Sequence, residues 1–305
     1  MPWDRLKCVG LMSVIWGGGA AAVPVTLPVG NALDTADVSY SGFFGDVGGG
    51  FAGIFDASSL GLGGGGDHFD DALGIGLNGL AYGTDTGDLT GSELVLDPVT
   101  LDGFEVQVGY RTVGPVLRQL VIVTNVSNAT GNATVSWHNN TGNDSSQQVI
   151  STSDGDLAAE LSDRWVVTAD NTTGTDNEVN AWVLFGPGSP AVTPSNVQLV
   201  DGLASFGGAG NEGLSAEFDL SLALGQTQSI LLFVGIEGIN VDGIKLAKNI
   251  DLTDSPLFGG LIADLSTQER LQIANYAIPE PHAAFGFVVL GLAVWRRRAA
   301  ELRRP

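Results

Sequence analysis

The chain has 305 residues, 44% of them apolar, which is enough for a substantial buried core, and a formal charge of −21. Between Val23 and Pro281 only six basic residues stand against 32 acidic ones, a formal charge of −26. That excess excludes nucleic acid as a partner and fits a surface solvated in a salty medium or loaded with Ca2+. The only cysteine, Cys8, lies in a segment expected to be removed, so disulfides and thiolate metal sites are excluded from the remainder.

Residues 1–22 have the order of a secretory signal peptide: a weakly basic start with Arg5 and Lys7, the apolar run Cys8 to Trp16, then glycines and small residues. Ala20 and Ala22 fit the A-x-A rule for cleavage, which leaves Val23 as the mature N-terminus. A buried helix is disfavoured by the shortness of the run and the three glycines behind it. Cys8 is no lipoprotein site, because Lys7 precedes it and the apolar run follows it.

Residues 23–93 are dominated by glycine and small residues and read as a loop-rich part whose elements the sequence does not assign. Gly74-Ile-Gly76-Leu-Asn-Gly79 matches G-x-G-x-x-G, but no helix signal follows, so a glycine-rich loop is expected and nucleotide binding is not. Gly63 to Asp71 resembles a single calcium-binding glycine-aspartate repeat with His68 in place of an aspartate. Asp85 and Asp88 with Glu93, and Asp170 with Asp176 and Glu178, offer oxygen ligands on expected loops, as does any solvated turn.

From Leu94 onward strands dominate. Phe104, Val106, Val108 and Tyr110 alternate with Glu105, Gln107, Gly109 and Arg111, the period of a strand with one wet face. Leu117–Val126 and Ala133–His138, joined by a turn-rich segment, are expected to form a hairpin. Arg164–Ala169, Ala181–Phe185 and Val197–Leu199 continue the series, and Leu214–Leu224 with Ser229–Ile236 reads as the clearest hairpin. Turn spacing without alternating helices predicts an all-β fold, a large antiparallel β-sandwich ectodomain over 23–277. Ser266-Thr-Gln-Glu269 is a capping box that starts a short C-terminal helix, with Leu271 and Ala274 on one face.

Catalytic signatures are sparse. His68 and His138 belong to no zinc spacing, no G-x-S-x-G elbow is present, and no P-loop occurs. Six N-x-[ST] sites, at Asn125, Asn128, Asn132, Asn139, Asn143 and Asn171, are read as chance in an Asn- and Thr-rich chain. Trp137, Trp165 and Trp182 sit in strand-like runs and are expected in the core, with a sugar-stacking platform as the alternative.

At the C-terminus, Pro279-Glu280-Pro281 precedes the apolar segment 283–295 and the cluster Arg296, Arg297, Arg298, Arg303 and Arg304. The basic cluster predicts a single transmembrane helix with its C-terminus inside. Its thirteen residues reach roughly 20 Å, short of the roughly 30 Å hydrocarbon core. This order resembles the PEP-CTERM sorting signal, here over residues 278–305. The resemblance implies an exosortase as partner. That membrane cysteine transpeptidase would recognise Pro279, Glu280 and Pro281, cut near them, and pass a transiently inner-membrane-anchored protein to the cell surface or outside. A looser resemblance, over residues 94–236 and carried by Trp137–Asp144, Thr152–Asp156 and Asp163–Asp170, is to large β-sandwich domains of secreted bacterial proteins; it implies fold and no catalytic residue.

The sequence therefore predicts an exported surface or matrix protein of an exopolysaccharide-producing Gram-negative bacterium, structural or adhesive, not an enzyme, without cofactor unless Ca2+. Two alternatives stand beside it. A carbohydrate-binding module requires a row of exposed Trp or Tyr rings. A polysaccharide-active enzyme requires a cleft with two close carboxylates, one of raised pKa.

Overall fold

A computed structural model describes residues 21–47, 50–60, 66–142, 147–170, 175–200 and 213–278. The sorting motif Pro279, Glu280, Pro281, Arg296, Arg297 and Arg298, the segment 283–295 and Ala20 lie outside the described residues. Ala22 is exposed, immediately before the first strand. No helix among the described residues is long and apolar enough to cross a membrane.

The chain is mostly β, with antiparallel sheets and a few helices. In order the strands are β1 (Val23–Thr26), β2 (Val38–Tyr40), β3 (Phe43–Phe44), β4 (Gly53–Ile54), β5 (Ala57–Ser59), β6 (Gly74–Leu77), β7 (Leu80–Ala81), β8 (Thr86–Thr90), β9 (Glu93–Leu96) and β10 (Val99–Leu101). Longer strands follow: β11 (Phe104–Val113), β12 (Val116–Asn125), β13 (Gly131–His138), β14 (Gln148–Thr152), β15 (Trp165–Ala169), β16 (Thr175–Val183), β17 (Pro194–Leu199), β18 (Leu214–Leu222) and β19 (Thr227–Ile239). Three helices close the chain: α1 (Asn240–Asp251), α2 (Pro256–Leu261) and α3 (Thr267–Gln272).

A ten-stranded sheet runs β1-β8-β9-β11-β12-β19-β16-β15-β14, with β10 also on β11, and a five-stranded sheet runs β17-β18-β13-β6-β7. Alternation along β12 shows how the layers form. Leu117, Val121 and Val123 join Val135, Phe218 and Trp137 of the smaller sheet in one core, while Val116 and Leu120 point the other way into a second core beneath the helices. Both faces of β12 are covered, which is why it reads as nearly continuous apolar sequence.

Both expected hairpins are corrected. β12 pairs with β11 and β19, whereas β13 pairs with β18 and β6, so the short connection after Asn125 carries the chain from one sheet to the other. β18 and β19 likewise belong to different sheets. The two arches are tied together by Asn125, whose buried amide donates to Ala129 O and Leu222 O, each at 2.8 Å, while its backbone N–H and C=O bond Gln226 and Gly225. Asn125→Ala takes the amide donor from both carbonyls, leaving Ala129 O only the Ser127 hydroxyl, and is expected to lower stability by about 1–3 kcal/mol, read from denaturant unfolding; an unchanged midpoint would remove the amide's role.

Short strands of two to five residues, β1 to β8, run through the loop-rich part 23–93. The G-x-G-x-x-G stretch forms β6 and β7 around Asn78 (φ 51°) and Gly79 (φ 78°), both left-handed, the geometry of a tight hairpin and not of a phosphate loop. Asp88 and Glu93 lie in strands, not in loops. At the other end, Ser266 and Glu269 form the expected capping box, but the apolar face assigned to α3 is wrong: Leu271 is exposed, and Ala274 lies beyond the helix.

Candidate functional site

The site is built where β19 leaves the large sheet. Even-numbered residues of β19, Ile230 to Ile236, face the inter-sheet core; Leu231 and Phe233 face the helices. Glu237 continues that outer parity, so a carboxylate arrives on the face that α1 covers. Two glycines allow the helix close in. A Cβ on Gly235 would meet Leu246 at 2.4 Å, and one on Gly243 would meet Val179 at 2.4 Å.

Asp242, Lys245, Leu246 and Asn249 are spaced i, i+3, i+4 and i+7 on α1 and so share one stripe. With Glu237 they line an open cleft of about 280 Å³, near the lower end of ligand-pocket sizes. Glu237 is part-buried, and its pKa is raised to about 7, first by burial and then by the charges of Asp242 and Asp37, with Lys245 opposing. The cleft thus holds a carboxyl that stays protonated to neutral pH beside a second acid whose charge reaches it, an arrangement suited to proton donation and abstraction across one bound molecule.

On the other flank of α1, Ser153, Arg164, Trp165, Lys248, Asp251 and Leu252 surround a second cleft of about 350 Å³. Arg164 closes it with two 2.9 Å hydrogen bonds to Asp251. Beside it, carboxylate oxygens of Asp154, Asp156 and Asp163 lie within 4.8 Å of one another. Those groups accept from Thr152, Ser153 and the backbone of Asp156, Ala158 and Glu160, the pattern of a self-satisfied turn.

The aromatic row required of a carbohydrate-binding module is missing among the described residues. Trp137, Trp165 and Trp182 are buried, as are Tyr40, Tyr82, Tyr110 and Tyr276. Trp137 and Trp182 meet edge-on at 5.5 Å, so the core expectation holds for them.

No family model matches the chain, and no curated protein matches it. Solved structures do. One described as a kojibiose phosphorylase from the human microbiome is similar over 76% of this chain and 33% of its own, with 10% identity and a TM-score of 0.45. A galactose mutarotase-like protein from Lactobacillus casei is similar over 71% of this chain and 100% of its own (10% identity, TM-score 0.40), and a polysaccharide lyase over 76% and 35% (9% identity, TM-score 0.37). The chain thus spans about a third of the phosphorylase. At this distance the likeness decides neither substrate nor mechanism. These structures are nevertheless named for sugar-active enzymes, and the expectation that the chain is not an enzyme is corrected against them.

The two histidines are not brought together as metal ligands. His68 is fully buried, with Nδ1 3.1 Å from Asn180 Oδ1, and burial lowers its pKa to about 4. His138 is part-buried, its Nε2 2.9 Å from Ser136 Oγ, and its pKa is also lowered by burial. Because unfolded His68 takes a proton near its ordinary value of about 6.5 while the folded ring resists until about 4, its contribution to stability is present above that range and is lost as pH falls through it. The difference in stability between the protein and His68→Gln, followed by thermal melts from pH 7 to 4, is expected to shrink toward acid; a constant difference would reject this.

Sequence reading missed Glu237 and Asp242. The available signal was an acid inside the long apolar strand, at the parity of Leu231 and Phe233, followed five residues later by a second acid opening an amphipathic stretch.

Proposed function

We propose that this protein is a polysaccharide-active enzyme working by paired carboxylates, with Glu237 as general acid and Asp242 as its partner. The observation that carries the reading is the cleft under α1, which holds two acids, Glu237 and Asp242, with Glu237 pushed up to about 7 by burial first and then by the charge of its neighbours. In glycoside cleavage Glu237 gives its proton to the departing glycosidic oxygen, while Asp242 draws a proton from the attacking water or stabilises the charge that develops on the sugar. Lys245 and Asn249 supply donors for sugar hydroxyls from the same stripe. A formal charge of −26 between Val23 and Pro281 repels polyanions, so a neutral glycan is the favoured substrate class and hydrolysis is favoured over elimination from a uronic acid.

Export and sorting belong to the same proposal. The signal-peptide order at 1–22 and the PEP-CTERM-like order at 278–305 support delivery of a β-sandwich ectodomain through a transient transmembrane helix to the cell surface by an exosortase. The site assigned here would then face exopolysaccharide at that surface.

The catalytic reading is tested by incubating the purified protein with neutral glucans, galactans and mannans and with the host's own exopolysaccharide, and measuring new reducing ends. Release that disappears in Asp242→Asn supports it; no release from any of these polymers sinks it. Sorting is tested by the intact mass of protein recovered from cells and medium, with and without active exosortase. Retention of Arg296 to Pro305 in both strains would reject that part.

A further inference from the structure

A segment running from His68 to Leu73 bonds to strands of both sheets or their ends, through His68 Nδ1 to Asn180 of β16 and through Leu73 N–H to Asn139 Oδ1 just past β13. Its backbone is held on one side by Ala57 O and Phe55 O, which accept from the N–H groups of His68 and Asp71. On the other side it meets the end of β13: Asp70 N–H donates to Asn140 O at 3.2 Å, and Asn140 N–H donates to Asp71 O at 2.9 Å. Asp71 and Asn140 are thereby held against each other, and both are 2% exposed.

Each keeps a side-chain oxygen that no donor among the described residues reaches, Asp71 Oδ1 and Asn140 Oδ1. Buried acceptors left in this state are rare and costly, the more so when the group is charged. Among the described residues no basic group acts on the Asp71 carboxyl. The charged groups that act on the Asp71 carboxyl are Asp70 and Asp46, both acids. Asp56, from the strand connection packed on the same segment, is under the like influence of Asp67 and Asp70. The His68 ring bonds Asn180 Oδ1 through Nδ1.

We propose that Asp71 and Asn140 form the inner half of a divalent cation site, with Asp71 Oδ1 and Asn140 Oδ1 as ligands and the carboxylates of Asp70 and Asp46 providing charge at its outer side. An all-oxygen set that mixes carboxylate and amide carbonyl suits Ca2+, which accepts irregular coordination, better than Mg2+, which demands a near-ideal octahedron, or the softer metals. The site is separate from the Glu237 cleft and from the Asp154 turn, and it stands or falls independently of the enzymatic reading.

The test uses the full chain, stripped with a chelator and titrated with CaCl2 and MgCl2 by calorimetry, with thermal melts in parallel. Expected are one Ca2+ bound per chain, a melting temperature that rises with Ca2+ more than with Mg2+, and binding weakened by about tenfold or more in Asp71→Asn and in Asn140→Ala. Asn140→Ala keeps the measurement available if Asp71→Asn fails to fold, and Asp154→Asn is expected to leave binding unchanged. Absence of Ca2+ heat and of any calcium-dependent melting shift overturns the proposal, as does binding that survives Asn140→Ala and vanishes in Asp154→Asn.

Discussion

Replacing Glu237 by Gln is expected to lower turnover on the cognate glycan by about 10²–10⁴-fold while making the protein more stable above neutral pH. The two effects have one cause. In the fold the carboxyl resists ionisation until about pH 7, because burial and the charges of Asp242 and Asp37 disfavour the anion. Folded Glu237 therefore binds its proton more tightly than the unfolded chain does. Its contribution to stability is present below the ordinary glutamate value and is lost as pH rises from about 4.3 through 7. Gln keeps the shape and never ionises, so melts of the variant and the parent should coincide near pH 4, separate between about 4.3 and 7 in favour of the variant, and keep that gap above 7.

The pH profile separates roles. As an acid, Glu237 makes the rate decline when pH rises through about 7, and that limb should vanish in Glu237→Gln, leaving a low and flatter residual rate. A glutamate that only packed beneath α1 would give the stability change without loss of turnover. Equal rates in parent and variant across pH 5–9 would reject Glu237 as the acid, whatever the polymer.

Why the sequence shows the sheets but hides this site is a matter of which forces act locally. Alternation in β11 is readable because its inner residues Val106, Val108 and Tyr110 are buried while Glu105 stays wet on the opposite face. The capping box at Ser266 is readable because both of its hydrogen bonds lie within four residues. Arches are not readable: a tight turn between two alternating strands is written the same way whether the strands pair or face each other, and here the distinction rests on the tertiary bonds of Asn125. Strands β2 to β7 span two to four residues each, too few to establish a period. Helix α1 is masked by Gly243, a poor helix former that the sequence keeps because only a missing Cβ lets the helix rest on Val179. Since Glu237 and Asp242 acquire a common cleft only through that docking, the candidate site becomes visible no earlier than the packing that makes it.

Asp264→Ala is expected to cost about 3–5 kcal/mol, a large part of the roughly 5–15 kcal/mol by which a typical domain is stable. Arg118 lies on the helix-facing side of β12 with its side chain 1% exposed. Its guanidinium donates to Asp264 Oδ1 at 2.7 Å and Oδ2 at 2.8 Å, to Leu261 O at 2.8 Å and to Glu93 Oε1 at 3.0 Å, and Arg111 also pairs with Asp264. Removing Asp264 leaves a buried cation with one part-exposed carboxylate and one carbonyl, and the cost comes from that stranded charge more than from the lost attraction. Burial pushes the Asp264 carboxyl up, but the hydrogen bonds and charge of Arg118, with Arg111, outweigh it and hold the group below the usual range. Its contribution is therefore full above the ordinary aspartate value and is lost as pH falls through the lower folded value, so the gap between parent and Asp264→Ala should narrow in strong acid. If stranding is the mechanism, Arg118→Met combined with Asp264→Leu should recover most of the loss, since an apolar pair of similar volume needs no counter-charge. The cluster joins β9, β11 and β12 to the segment between α2 and α3, and α2 packs beside α1. A double variant that regains stability in denaturant melts but not turnover would locate the cluster's second role in seating α1 over Glu237; one that regains neither would reject the stranded-charge account.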